Sequence, residues 1–245
     1  VALPRIFVSD DSIVSGLAVI SGDDAHHIAR VLRKRIGDRL TLCDGRGTDY
    51  ECSIESITED GVKARILRED KSSAISDTRI TLYMANPKAD KMDMIVQKSV
   101  ELGVYKIVPF ISERCVSRPD EKASLKKKTR WCAIAKSAAE QCGAANIPEV
   151  SDICDFETAV ENASKHDLPL FLYEGETATS IKSVLSQRGN ACDISVFVGP
   201  EGGFSLKEAQ HAKQSGMISV SLGARILRCE TAPLAAICFI NYEKF

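Results

Sequence analysis

The pattern that most limits how this chain can fold is a buried strand that stops on glycine and proline and restarts as a helix. Ile194, Val196, Phe197 and Val198 form a short apolar run, and Gly199-Pro200 ends it. Glu201-Gly202-Gly203-Phe204 follows, and its glycines allow positive φ and close approach by another backbone or a ligand. Ser205 and Glu208 then fit a capping box, the start of a helix. The plan repeats at Ser221–Pro233: a short strand, Gly223, a loop, and a helix near Thr231 with Pro233 tolerated in its first turn. Each stretch is compatible with an ordinary strand-to-helix connection. Two features point further. Glu201 sits among glycines, where no helix or core needs it. Arg225, Arg228 and Glu230 crowd a loop between apolar segments, where charges are seldom placed without partners. Loops at strand ends are where α/β proteins keep their sites.

From residue 80 onward, strand and helix patterns alternate. Ile80–Met84, Lys106–Ile111, Leu168–Tyr173, Ile194–Val198 and Ile218–Leu222 read as strands. Helices are expected from Asp90 to Leu102, from the Lys122 region to about Cys142, over Ser180–Gln187 and Ser205–Ser215, and from Thr231 to about Tyr242. Such alternation predicts a mainly parallel sheet covered on both faces. Pattern alone stops at an open doubly wound α/β domain, because true knots are nearly absent from proteins.

The first 72 residues read differently, as mostly β. Arg5–Val8, Arg39–Cys43, Tyr50–Ile57 and Val62–Leu67 are strand candidates, with turns at Asp44-Gly45-Arg46-Gly47 and Asp60-Gly61. The exception is a helix expected over Asp23–Arg35, with Ile28, Val31 and Leu32 on its apolar side. Its other face carries Arg30, Arg33, Lys34 and Arg35, either a solvated face or a phosphate contact. Several short strands close most naturally into a small barrel. The polar, serine-rich stretch 70–79 separates an expected first domain, 1–72, from a second, 78–245.

With 245 residues and 44% hydrophobic content the chain can build a real core, as one large domain or two smaller ones. A net charge of −2 excludes a general polycation, so any nucleic-acid contact must use local patches. The densest is Lys122, Lys126, Lys127, Lys128 and Arg130, again either solvated or phosphate-binding. No apolar run is long enough to span a membrane, and the N-terminus lacks the apolar stretch of a signal peptide. Nine scattered cysteines without a C-x-x-C pair argue against a disulfide framework and a zinc site; no metal is expected, and a reducing cytoplasm fits best.

The strings VGPEGGFS and LGARILRCETA resemble the C-terminal signature of the RsmE family, bacterial methyltransferases of the SPOUT class that act on uracil N3 in 16S ribosomal RNA of the small subunit. Lys88–Met92, Gln97–Val104 and Ser112–Cys115 match the start of the family's catalytic domain, and HHIARVLRKRIGD matches its N-terminal segment. The resemblance implies an N-terminal PUA-like β-barrel that helps to hold RNA, and a C-terminal SPOUT α/β domain with a trefoil knot. It implies S-adenosylmethionine as methyl donor and a homodimer with the site close to the subunit interface. It places Lys91 and Arg114 near the RNA or that interface. It also implies that Leu172, Tyr173, Glu174, Gly199, Glu201, Gly202, Leu222, Gly223, Ile226, Leu227 and Arg228 line the donor site. The chain departs from the family at Ala144-Ala145-Asn146, where a basic loop usually stands.

Methylating N3 requires loss of its proton. Arg228 is therefore the candidate cation for the uracil anion, and Glu201 and Glu230 are the candidate bases, although either carboxylate could instead hold an arginine. Two other readings stay open: a SPOUT methyltransferase with a 2′-O-ribose or guanine target, and a non-catalytic RNA-binding protein. A nucleotide hydrolase is disfavoured by the absence of G-x-x-x-x-G-K-[ST].

Overall fold

The computed structural model describes residues 3–72 and 74–244. Two compact units emerge: the chain up to Ile75 together with Ala139–Ile147, and Ser76–Ala138 together with everything from Pro148 onward.

In the first unit, β1 (Arg5–Phe7), β2 (Ile13–Val14) and β3 (Leu17–Ile20) precede a single helical turn α1 (Gly22–His26) that runs on as a π turn over His27–Val31. Then come β4 (Arg39–Cys43), β5 (Thr48–Thr58) and β6 (Gly61–Lys71). The strands form one sheet in the order β1-β4-β5-β6-β3-β2, with β1 parallel to β4 and the other neighbours antiparallel. Alternation does the sorting: Leu40 and Leu42, Cys52 and Ile54, and Val62 and Ala64 all turn into one core with Ile6, Ile20 and Ile28. Register shifts at Glu51/Cys52 and Ile54/Ser56 mark bulges, which curl a sheet around such a core.

The helix expected over Asp23–Arg35 is shorter than its apolar spacing suggests. It gives out at Val31, and Arg33 has φ +52°, so Arg33, Lys34 and Arg35 do not share a helix face with Arg30. The reason is packing. Ile28 is fully buried, but Val31 is 61% exposed, so the core offers nothing for a third turn to bury. The hairpin β2–β3 was hidden by its brevity, and its only signal is Ser15-Gly16, both at positive φ as a tight turn needs.

The second unit alternates as expected: β7 (Arg79–Ala85), α2 (Lys91–Glu101), β8 (Lys106–Ile111), α3 (Glu121–Cys142, its last residues falling in the first unit), β9 (Glu149–Val150), β10 (Cys154–Asp155), α4 (Phe156–Ala163), β11 (Leu168–Leu172), α5 (Ile181–Gln187), β12 (Asp193–Val198), α6 (Leu206–Gln214), β13 (Ile218–Val220) and α7 (Ala232–Lys244). Every pairing is parallel. The order is β10-β8-β7-β12-β11-β13, with β9 beside β10 on the same edge of β8. The elements β9, β10 and α4 lie outside the sequence expectation. The α4 helix carries a readable cap all the same, since Asp155 accepts the Thr158 N–H at 2.7 Å.

One face of the sheet is filled by rings. Phe110 lies 4.4 Å from Phe197 and Phe171 lies 4.4 Å from Phe204, centroid to centroid, with Tyr83 and Phe156 around them. Helix α7 covers the other side, packing on β7 and β12 and on helices α2 and α5. Phe197 touches five rings of this cluster, so Phe197→Ala is expected to cost about 3–5 kcal/mol of stability. The shift in the denaturant midpoint measures it.

Candidate active site

The C-terminal ends of β11, β12 and β13 stand side by side, because Phe171 is level with Phe197 and Leu172 with Val220. In a parallel sheet all three following loops must leave from the same edge. They enclose a cavity of about 960 Å³. Its floor is apolar (Leu172, Val198, Val220) and its walls are the loops 173–180, 199–203 and 221–230. The first and third walls are stitched together: Ser221 N–H donates to Thr179 O at 2.9 Å, and Ile181 N–H donates to Ser221 O at 3.0 Å.

The middle wall turns tightly. Gly203 N–H donates to Pro200 O at 2.9 Å, and Gly203 has φ +62°. That φ favours glycine, since an L side chain is strained there; a Cβ at Gly203 would also press on the movable end of Glu174, 2.0 Å from its carboxylate. Arg114 reaches the same turn and donates to Gly202 O at 2.8 Å. The expected capping box is present: Ser205 N–H donates to Glu208 Oε2 at 2.8 Å, and Glu208 N–H donates to Ser205 Oγ at 3.3 Å. Glu208 also accepts the Glu113 N–H at 2.8 Å, while Ser205 Oγ donates to Glu113 Oε2 at 2.7 Å. These bonds tie the loop after β8 to the start of α6.

The two candidate bases meet at one lysine. Lys91 Nζ lies 3.0 Å from Glu201 Oε1 and 3.2 Å from Glu230 Oε2. Cys229 Sγ donates to Glu230 Oε2 at 3.2 Å, and Lys88 N–H donates to Glu201 Oε1 at 3.1 Å. Partial burial works to raise both carboxyl groups. It is outweighed at Glu201 by backbone hydrogen bonds and Lys91, and at Glu230 by Cys229, its own backbone and Lys91, so both lie below the usual carboxylate value. Lys91 is pushed up, chiefly by its hydrogen bond to Glu201. Burial, then Glu230, pushes the Cys229 thiol up to about 12.

Every residue expected to hold the donor lines this cavity, and so do Glu230 and Lys91. The carboxylate partnership of Lys91 and the wall at 176–180 were not anticipated from sequence. Arg228 is exposed at the wall, and among the described residues its guanidinium has no ion-pair partner. The basic cluster of α3 is partly spoken for: Lys128 pairs with Asp152 at 2.8 Å, Lys127 lies over the Trp131 ring, and Arg130 pairs with Asp93. Lys126 is exposed. In the first unit Arg30, Arg33 and Arg35 are exposed, and Lys34 donates to Arg39 O at 3.1 Å. Among the described residues no group of His, Cys, Asp and Glu could hold a metal, and no helix is long and apolar enough to cross a membrane.

The lowered carboxylates bind protons less tightly in the folded chain than in the unfolded one. Their contribution to stability is present above the ordinary value of 4.5 and is lost as pH falls through their folded values. Lys91, being raised, contributes below its ordinary 10.5 and loses that contribution as pH rises through its folded value. Glu201→Gln is therefore expected to flatten the acid side of a Tm-against-pH curve while leaving the midpoint at pH 7 lower than wild type. Differential scanning across that range measures both.

An RNA methyltransferase domain family matches residues 75–241, and an RNA methyltransferase PUA domain family matches residues 20–67. The ribosomal RNA small subunit methyltransferase E of Bacillus subtilis is 31% identical over 91% of this chain and 89% of its own length. Its counterpart in Buchnera aphidicola subsp. Schizaphis graminum is 32% identical over 98% and 96%. The crystal structure of ribosomal RNA small subunit methyltransferase E from Neisseria gonorrhoeae, bound to S-adenosyl methionine, superimposes with a TM-score of 0.85 at 34% identity, covering 98% of both chains. On this evidence the chain belongs to the ribosomal RNA small subunit methyltransferase E family.

Proposed function

We propose that this protein transfers a methyl group from S-adenosylmethionine to N3 of a uridine in 16S ribosomal RNA. The observation that carries the reading is the cavity itself. Three parallel strand ends stand level beneath it, glycine-bearing turns wall it, and the unpaired Arg228 stands two residues from Glu230, one of two ionised carboxylates. The residues fit the donor. The cavity is of small-molecule size, roughly 300–1,000 Å³. Leu172, Val198 and Val220 give an adenine an apolar bed, and the glycine-bearing walls offer backbone N–H and C=O groups to its edge. Ile226 is 84% exposed at the wall, an apolar side chain with no work in the core. When bound, the donor supplies an electrophilic methyl group.

The chain's own residues then prepare the acceptor. Arg228 faces the uracil oxygens and stabilises the anion that forms as N3 loses its proton, an effect of about 2.7–4 kcal/mol for one such donor elsewhere. The proton goes to the carboxylate pair Glu201–Glu230, which is ionised at neutral pH; a positioned base contributes about 10²–10⁴-fold. Holding N3 in line with the methyl group supplies the rest.

In this reading residues 78–245 are a SPOUT methyltransferase domain. The path of the chain supports a knot there: it leaves the edge strand β13, passes through 221–231 and returns to pack α7 on the central strands β7 and β12. Residues 1–72 are the PUA-like module. Arg30, Arg33 and Arg35 contact RNA phosphates from it, while Lys34, Lys91, Arg114, Lys126, Lys127 and Lys128 were the other basic residues expected to do so. Of these, Lys126 is the freest to act. Phe239 and Tyr242, 43% and 83% exposed on α7, suit contact with a second copy in a homodimer. Nine free cysteines suit the cytoplasm, where ribosomes are assembled.

Arg228→Ala is expected to lower single-turnover methylation of unmethylated small ribosomal subunits by about 10²–10³-fold. Nucleoside analysis of the wild-type product should give 3-methyluridine. A near-normal rate for the variant removes Arg228 from the chemistry. Another modified nucleoside changes the target, and a wild-type chain that binds no S-adenosylmethionine removes the methyltransferase reading.

A further inference from the structure

We propose that Lys91 is a positioning residue of this site, which fixes the carboxylates of Glu201 and Glu230, and with them the two loops that wall the cavity; the inference builds on the methyltransferase reading. Lys91 is the first residue of α2 and belongs to neither loop. Its ammonium nonetheless touches Glu201 of the loop after β12 and Glu230 of the segment before α7, at 3.0 and 3.2 Å, and comes within 3.8 Å of Cys229 Sγ. Three segments separated by more than a hundred residues of chain at one step and nearly thirty at the next thus converge on one nitrogen. An ammonium has three donors, and this geometry gives each a partner.

The arrangement differs from that of a phosphate-binding lysine. Such a side chain stands free to meet an anion, whereas Lys91 is only 31% exposed and already faces two. Asp90, just before α2, and Asp93 within it are paired with Arg130 and do not compete for it. The Cys229 thiol is a neutral donor to Glu230, so the cluster holds two negative charges and one positive. Without Lys91, two carboxylates of like charge would face each other across a cavity wall, and at least one would take up a proton or swing away. Glu201 would retain the Lys88 N–H, and Glu230 the Cys229 thiol. The lysine is the shared element that holds both loops at once.

The test compares wild type, Lys91→Met and Lys91→Arg in the full chain. Methionine keeps the unbranched apolar stem, one atom shorter, and removes the charge. S-adenosylhomocysteine is titrated by calorimetry, without RNA, over a pH series, and the carboxyl groups of Glu201 and Glu230 are followed by NMR in the ligand-free protein. The expected result for Lys91→Met is binding weaker by about tenfold or more at neutral pH, the scale of one charge-assisted hydrogen bond. Its acid limb moves to higher pH and at least one carboxyl titrates higher than in wild type. Lys91→Arg restores most of the affinity and the limb. Unchanged binding and an unchanged limb in Lys91→Met overturn the inference. So does a defect that appears only with RNA and lowers the salt dependence of RNA binding, the mark of a phosphate contact. If wild type itself binds no S-adenosylhomocysteine, the proposed function fails, and the ligand-free carboxyl titration still decides the role of Lys91: a raised value upholds it and an unmoved one overturns it.

Discussion

The second unit depends on the place of β12. This strand is paired on both sides, with β7 over Asp193–Val198 and with β11 over Ile194–Phe197. Five of its six residues are buried, and Phe197 lies at the centre of the ring cluster. A strand hydrogen-bonded on both edges and covered on both faces has no freedom of register, since a slip of one residue would exchange every side chain between the two faces. The loop that leaves its C-terminal end therefore starts from a fixed point. Gly199 to Gly203 turn back on that point with Phe204 packed beneath, where a Cβ on Gly199 would meet the ring at 3.0 Å. The cavity is in this sense an extension of the core: the ring cluster that stabilises the sheet also anchors the turn that shapes the site.

Charge is arranged with the same economy. The site brings two carboxylates, a lysine and a thiol into contact, and among the described residues leaves two lining arginines, Arg225 and Arg228, without an ion-pair partner. Paired groups keep their ionisation across the neutral range. An unpaired arginine beside them keeps its hydrogen-bonding capacity for an outside anion. This division, with some charges paired for internal order and the arginines left unpaired, is what separates the cavity from a merely concave surface.

Much of this was readable from the residues. Alternating strand and helix signals from Ile80 to Tyr242 fixed the class of the second unit, because each element is long enough for its period to show, and the glycine-bearing turns marked the edge where the site lies. The capping box at Ser205 and Glu208 was legible because it is a local device, written in four residues. Three things were not. Short strands such as Ile13–Val14 and Cys154–Asp155 carry too few residues for a period. The end of the helix near Val31 is set by how far the core of the first unit extends, which no local pattern encodes. The meeting of Lys91 with Glu201 and Glu230 is a product of topology alone, since nothing near any of the three announces the others.

The central position of β12 also has a consequence for how the chain comes into being. Synthesis runs from the N-terminus, and β7, β8 and β11 all emerge before the strand that must lie between β7 and β11. Until it arrives, those two strands have no direct partner in each other, and each presents an open hydrogen-bonding edge beside apolar faces. Contacts of such long sequence separation form slowly, and exposed edges of this kind invite pairing with other chains. The nascent protein therefore passes through an interval in which β7 to β10 can pair but β11 has no partner, because β12 and β13 are both still to come. That interval, more than the finished fold, is where protection by a chaperone has something to act on.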